Sequence, residues 1–257
     1  MKLFIDSADP EDVIAATKDG DSIKEALNNH ISGVTTNPTL IKQYLDSRKE
    51  SYNADGVYMD YVTAFTRALR SVLPEGCVSF EVTSRDKIRA FGEAIALRDV
   101  GRETNYQVYV KVPFYAGFDP EDNVKLIGEL SRRGVFVNVT AVTNAEQVRR
   151  VFDVLDTGTP SIVSIFAGRI ADASLPPAPL FRCEAAPSLC ETLWASSRQP
   201  YSYFEALSAG ANIVTMTPSM LSKLVNTTIQ FADDMNKFAA VTAEMFYTDA
   251  GKAGLYL

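Results

Sequence analysis

The stretch NYQVYVKVPF, residues 105 to 114, places Lys111 inside an apolar run that otherwise reads as a buried strand. An ammonium group there is costly unless it is partnered. Desolvation between Val110 and Val112 favours the neutral amine, and a neutral amine attacks a carbonyl to form an imine. Such chemistry needs carboxylates to move protons, and Asp6 and Glu81 supply two on other apolar runs. The competing reading is a structural ion pair of Lys111 with one of these acids. Arg169 and Arg198 suit a clamp for a phosphate or carboxylate, with surface ion pairing as their alternative.

Other chemistries find less material. His30 is the sole histidine, so a Ser-His-Asp triad has nothing else to use. It lies at a predicted helix end, where a solvated or capping role is the simpler one. Cys77, Cys183 and Cys190 are odd in number and lack metal-ligand spacing, which reads as reduced thiols of a cytoplasmic protein. No metal site is expected. Acidic residues outnumber basic ones 32 to 25, with no basic block, so neither nucleic acid nor an anionic membrane is expected as partner. No apolar run is long enough to span a bilayer, and MKLFIDSADPED lacks the features of a secretory signal.

The elements that would position these residues recur evenly. Strands are predicted at 2–6, 33–37, 77–83, 108–112, 135–140, 161–166, 192–197 and 212–217, with helix-length stretches between most of them. Eight such β-then-α units in 257 residues define a single α/β domain, a (β/α)₈ TIM barrel over residues 1–257. Helix starts agree. DPED at 9–12 and 119–122 offers an Asp cap followed by Pro, TNPTL and TPSML place Pro just inside a helix, and TNAEQV carries a polar cap alone. Residues 42–76 hold more than one helix, while 172–191 carry four prolines and read as an outer loop. A C-terminal helix over about 219–247 is expected to close the barrel wall. Its alternative is contact with a neighbouring subunit.

Chemistry in such a barrel sits at the C-terminal ends of strands. Those ends carry Asp6, Thr36 and Asn37, Glu81, Lys111, Asn138 and Thr140, Ser164, and then Ser196, Ser197 and Arg198, with Arg169 just after the sixth strand. Asn138 and Thr140 lie two apart and so face one side. Polar groups on so many neighbouring strands favour a shared site and a catalytic Lys111.

The motifs GVTTNPTLI (33–41), YVKVPF (109–114), VFVNVTAV (135–142), SIFAGRI (164–170) and ASSR (195–198), with LFIDSAD at the start, resemble the transaldolase family from residue 3 to about 220. The resemblance implies a class I aldolase-type barrel without cofactor or metal, acting on sugar phosphates as a homo-oligomer. By position, Lys111 resembles the Schiff-base lysine, and Asp6 the acid/base at the C4 hydroxyl. Glu81 resembles the glutamate that works through a water held with Thr140. Asn37, Asn138 and Ser164 match residues that hold the dihydroxyacetone portion; Arg169, Ser196 and Arg198 match phosphate contacts. The implied reaction passes a dihydroxyacetone unit from a ketose phosphate to an aldose phosphate. Glu81 and Phe166 resemble transaldolase proper, where the related fructose-6-phosphate aldolases have glutamine and tyrosine. Phe114, Tyr115, Trp194 and Ser197 depart from the family pattern, which leaves room for a specialised enzyme making an unusual sugar. Release of free dihydroxyacetone, and a sugar-phosphate sensor without turnover, are the other readings.

Overall fold

Short β-branched runs alternate with capped helices and wind the chain into eight βα units in a computed structural model, which describes residues 1–48, 56–114, 120–182 and 185–255. The strands are β1 (Lys2–Asp6), β2 (Ile31–Thr35), β3 (Cys77–Glu81), β4 (Gln107–Pro113), β5 (Val137–Val142), β6 (Ser161–Ile165), β7 (Cys190–Trp194) and β8 (Ile213–Met216). All neighbours are parallel, and β8 closes on β1. The (β/α)₈ barrel expected from the spacing is the observed fold.

The helices are α1 (Pro10–Lys18), α2 (Gly20–Leu27), α3 (Pro38–Ser47), α4 (Val57–Val72), α5 (Lys87–Thr104), α6 (Pro120–Arg132), α7 (Ala145–Phe152), α8 (Ala167–Asp172), α9 (Ser202–Ala209), α10 (Pro218–Phe231) and α11 (Met235–Ala253). Their starts follow the predicted chemistry. Asp9, Asn37, Asn144 and Thr217 accept from the amides of Glu11, Leu40, Gln147 and Met220, each removing one of the unpaired N–H groups of a helix start. The corresponding cap expected at Asp119, like Tyr115 and Cys183, lies outside the described residues.

Alternation along each strand divides the sheet into two faces. Outward residues such as Phe80, Val110, Val112, Val137 and Val139 pack on Leu97, Leu126, Ile127 and Leu130 of the helices, all essentially free of solvent. Full burial of one such side chain contributes about 1.5–3 kcal/mol. The inward face is layered. Phe4, Tyr109, Ile162, Leu193 and Ile213 plug the N-terminal end with apolar side chains, and the polar residues stand above them.

Five strands end earlier than the sequence predicts, β3 at Glu81, β6 at Ile165 and β8 at Met216 as well as β2 and β7. β2 stops at Thr35 because Asn37 turns its side chain to cap α3. β7 stops at Trp194, and Ser196 follows at φ 60°, where the chain leaves the ladder. Residues 196–198 therefore belong to a loop.

The single closing helix predicted near 219–247 is two. α10 buries Leu221, Leu224 and Val225 against the barrel. Asp234 then caps α11 through the amides of Asn236 and Lys237, and α11 buries no residue. In the proline-rich stretch a 3-10 turn at Ala178–Phe181 stacks Phe181 on Trp194 with ring centroids 5.2 Å apart. Among the described residues, no helix is long and apolar enough to cross a membrane.

Candidate active site

Ladder register, more than local sequence, assembles the polar group. Glu81 stands opposite Lys111, and Lys111 opposite Asn138, on three consecutive strands. Lys111 Nζ donates to the Thr36 carbonyl at 2.7 Å and lies 3.3 Å from Glu81 Oε2. The two side chains are only 8% and 17% exposed, so the pair is close to desolvated. Tyr58 donates its hydroxyl to the Glu81 carbonyl at 2.7 Å, tying the end of β3 to α4.

Asp6 accepts from Thr35 Oγ1 at 2.8 Å, and that hydroxyl also lies 2.7 Å from Thr215 Oγ1. Burial raises the Asp6 carboxyl above its ordinary range, and the Lys111 charge and the Thr35 hydroxyl offset only part of this. A carboxylate so placed is a stronger base than one in water.

One layer deeper, Asn138 donates to Ser79 Oγ at 3.0 Å and accepts from Ser164 Oγ at 2.7 Å, spanning three strands beneath the lysine. Thr140 Oγ1 is buried and has no hydrogen-bond partner among the described residues. Alternation from Asn138 turns it inward, and just after it Ala141, at φ 61°, lies where the β5–β6 register is interrupted between Val139 and Val142.

These residues surround a cavity of about 530 Å³ at the C-terminal ends of the strands. Asp6, Asn37, Glu81, Lys111, Thr140, Ser164, Arg169, Ser196 and Arg198 all line it; of the predicted residues Asn138 and Thr36 do not, both being fully covered, and the Thr36 hydroxyl donates to the Ser79 carbonyl instead. The outer rim carries the arginines. Arg169 lies over the Phe166 ring at 6.0 Å, and Arg198 pairs with Asp172 at 2.7 Å. Gly168 brings α8 against the following loop, where any β-carbon would run into the Ser196 carbonyl. A larger cavity of about 610 Å³ opens at the other end of the barrel beside Lys2, His30 and Glu191, and none of the predicted residues lines it. His30 is exposed there.

Sequence reasoning missed Thr35, Thr39, Gln43, Thr215 and Thr217, which also line the site. Thr215 was within reach, since it lies two residues past the inward Ile213 on β8. Gln43 offers no such signal, because only the tilt of α3 over the mouth brings it to the cavity.

The fold defines the class: a (β/α)₈ barrel of the kind seen in 3-hexulose-6-phosphate synthase from Salmonella typhimurium, with a TM-score of 0.53 over 90% of this chain and 99% of that one at 13% identity. N-acetylneuraminate lyase from Mycoplasma synoviae gives 0.52 over 96% and 79% at 11% identity. Both likenesses concern the fold alone. The chain itself belongs to the Transaldolase/Fructose-6-phosphate aldolase family, a family of enzymes, which it matches over residues 3–253. A probable transaldolase of Chlorobium phaeovibrioides is 30% identical over 229 residues, 87% of this chain and 90% of the relative. One from Thermus thermophilus is 28% identical over 88% of this chain and 91% of its own length.

Proposed function

We propose that the protein is a transaldolase. It transfers a dihydroxyacetone unit from a ketose phosphate, such as fructose 6-phosphate or sedoheptulose 7-phosphate, to an aldose phosphate. The observation that carries this reading is the desolvated Lys111 on the cavity wall with Glu81 at 3.3 Å. In the reaction, the Lys111 amine adds to the C2 ketone, and loss of water leaves an iminium. Asp6 takes the proton of the C4 hydroxyl as the C3–C4 bond breaks. The bonding electrons pass into the iminium to give an enamine, and an aldehyde leaves. Attack of the enamine on the acceptor aldehyde and hydrolysis then restore the lysine. Glu81 relays protons for imine formation through a water held with Thr140. Asn37, Ser164 and, beneath them, Asn138 hold the three-carbon unit; Arg169, Ser196 and Arg198 hold the phosphate.

Borohydride trapping with fructose 6-phosphate, read by intact mass and peptide mapping, tests this. A three-carbon adduct on Lys111 is the expected result, and a folded protein without an adduct would remove the reading for this donor. Assay of free dihydroxyacetone separates transfer from simple aldolase release.

The reading also places the protein in a reducing cytoplasm. Burial pushes the thiols of Cys77 and Cys190 up to about 12 and about 11, which keeps them unreactive. We assign α11 to contact with a second copy of the chain. Met235, Phe238, Val241 and Met245 recur at helical spacing with 39% to 65% exposure, more apolar surface than an isolated helix keeps in water. Size-exclusion chromatography coupled to light scattering should show an oligomer, and Phe238→Glu should dissociate it.

A further inference from the structure

We propose that Asp172 is a positioning residue that holds Arg198 ready for the phosphate of the substrate. This inference rests on the sugar-phosphate reading above. Asp172 ends α8, where a carboxylate meets the negative end of the helix dipole and is disfavoured unless something compensates it. Arg169, three residues earlier on the same helix, is the local partner that helix spacing offers, yet no ion pair joins the two. Asp172 instead pairs across to the loop after β7. Arg198 Nη2 donates to Asp172 Oδ2 at 2.7 Å, and Nε donates to the same oxygen at 3.0 Å. Among the described residues Arg169 has no acidic partner and keeps its contact with the Phe166 ring.

Donor geometry decides what such a pair is for. A guanidinium has five N–H donors in a planar fork. Asp172 engages the Nε and Nη2 side, and Nη1 has no protein partner among the described residues. Carboxylate and phosphate can therefore occupy different edges of one guanidinium without competing. With side chains 46% and 53% exposed, the pair adds little to stability as an ion pair. Its effect falls on order, since a long side chain already held in place loses less freedom when the ligand arrives. The same contact is keyed by Gly168, where an added β-carbon would also lie 3.0 Å from Arg198 Cγ. Helix α8 thus supplies one cation through Arg169 and fixes the other through Asp172.

The test compares Asp172→Asn, Asp172→Glu and Arg198→Ala with the parent protein. Calorimetric titration with fructose 6-phosphate and with inorganic phosphate is read beside kcat and KM. Asp172→Asn should weaken fructose 6-phosphate about two- to tenfold, the range for ordering one long side chain. The loss should fall on KM and not on kcat, Asp172→Glu should recover part of it, and dihydroxyacetone, which has no phosphate, should be trapped on Lys111 as in the parent. If Arg198→Ala weakens phosphate binding while Asp172→Asn leaves it unchanged or tightens it, Asp172 is idle or a competitor and the proposal is overturned. If Arg198→Ala itself leaves fructose 6-phosphate binding unchanged, the phosphate assignment of this rim fails, and the proposal with it.

Discussion

Lys111 and Arg198 are basic side chains lining one cavity, yet the first is 8% exposed and the second 46%. Lys111 stands on a central strand, and its acidic partner is the residue beside it in the β3–β4 ladder. Arg198 hangs from a loop, and its partner comes from the end of a short helix 26 residues away in sequence. The inner end of the site is therefore as rigid as the barrel, whereas the outer end depends on how α8 meets the loop after β7. Bond-making chemistry needs the first arrangement, because low dielectric strengthens every charge interaction. Capture of a solvated phosphate suits the second, where desolvation stays small.

Several substitutions would break or sharpen this contrast. Lys111→Met, which keeps the volume and removes the amine, should reduce turnover to background and abolish borohydride trapping without loss of helical circular dichroism. Turnover near the parent level would end the covalent reading.

Asp6→Asn should lower kcat by about 10²–10⁴, the usual worth of a general acid or base. Its stability effect has the opposite sign. Because burial raises the Asp6 carboxyl above 3.8, the native state binds more protons than the unfolded one between that value and the raised one. Stability from this group is thus present in acid and lost as the pH rises. The asparagine variant should melt above the parent at neutral pH, with the gap closing on acidification; a lower melting temperature at neutral pH would contradict the burial argument.

At the outer end, Arg198→Ala should raise KM for phosphorylated donor about 10- to 100-fold, the loss of one or two charge-assisted hydrogen bonds, and spare trapping of dihydroxyacetone. Gly168→Ala should cost about 1–3 kcal/mol, as overpacking does, and should raise KM because the Ser196 carbonyl must move. Denaturant melts and Michaelis kinetics on one preparation would separate the two effects. Last, Glu191→Gln removes the partner of Lys2 at the far end of the barrel, where side chains are 52% and 30% exposed. A stability change within about 1 kcal/mol and unaltered kinetics are expected for an exposed pair.

Much of this was legible in residues alone. Period-two apolar runs, proline at helix starts and Asn or Asp caps announce a repeating βα unit, because each is a local property of the backbone. Val137-Asn138-Val139-Thr140 shows its inward face by alternation, and Lys111 shows itself by being costly where it stands. The splitting of the C-terminal stretch was hidden, since both parts are good helix formers and only contact with the barrel distinguishes α10 from α11. The ends of β2 and β7 were overextended because a side chain recruited as a helix cap, and a turn of the chain out of the ladder, end a strand without changing its composition.

Sequence by itself thus determined the barrel, the lysine and its two acids, through backbone preference and the expense of burying charge. Tertiary structure alone decided that Glu81 rather than Asp6 lies within ion-pair distance of Lys111, that Asn138 lies under the cavity and not in its wall, and that Asp172 rather than substrate holds one edge of Arg198. These are matters of ladder register, strand tilt and loop packing. They depend on residues far apart in the chain, which no local spacing records.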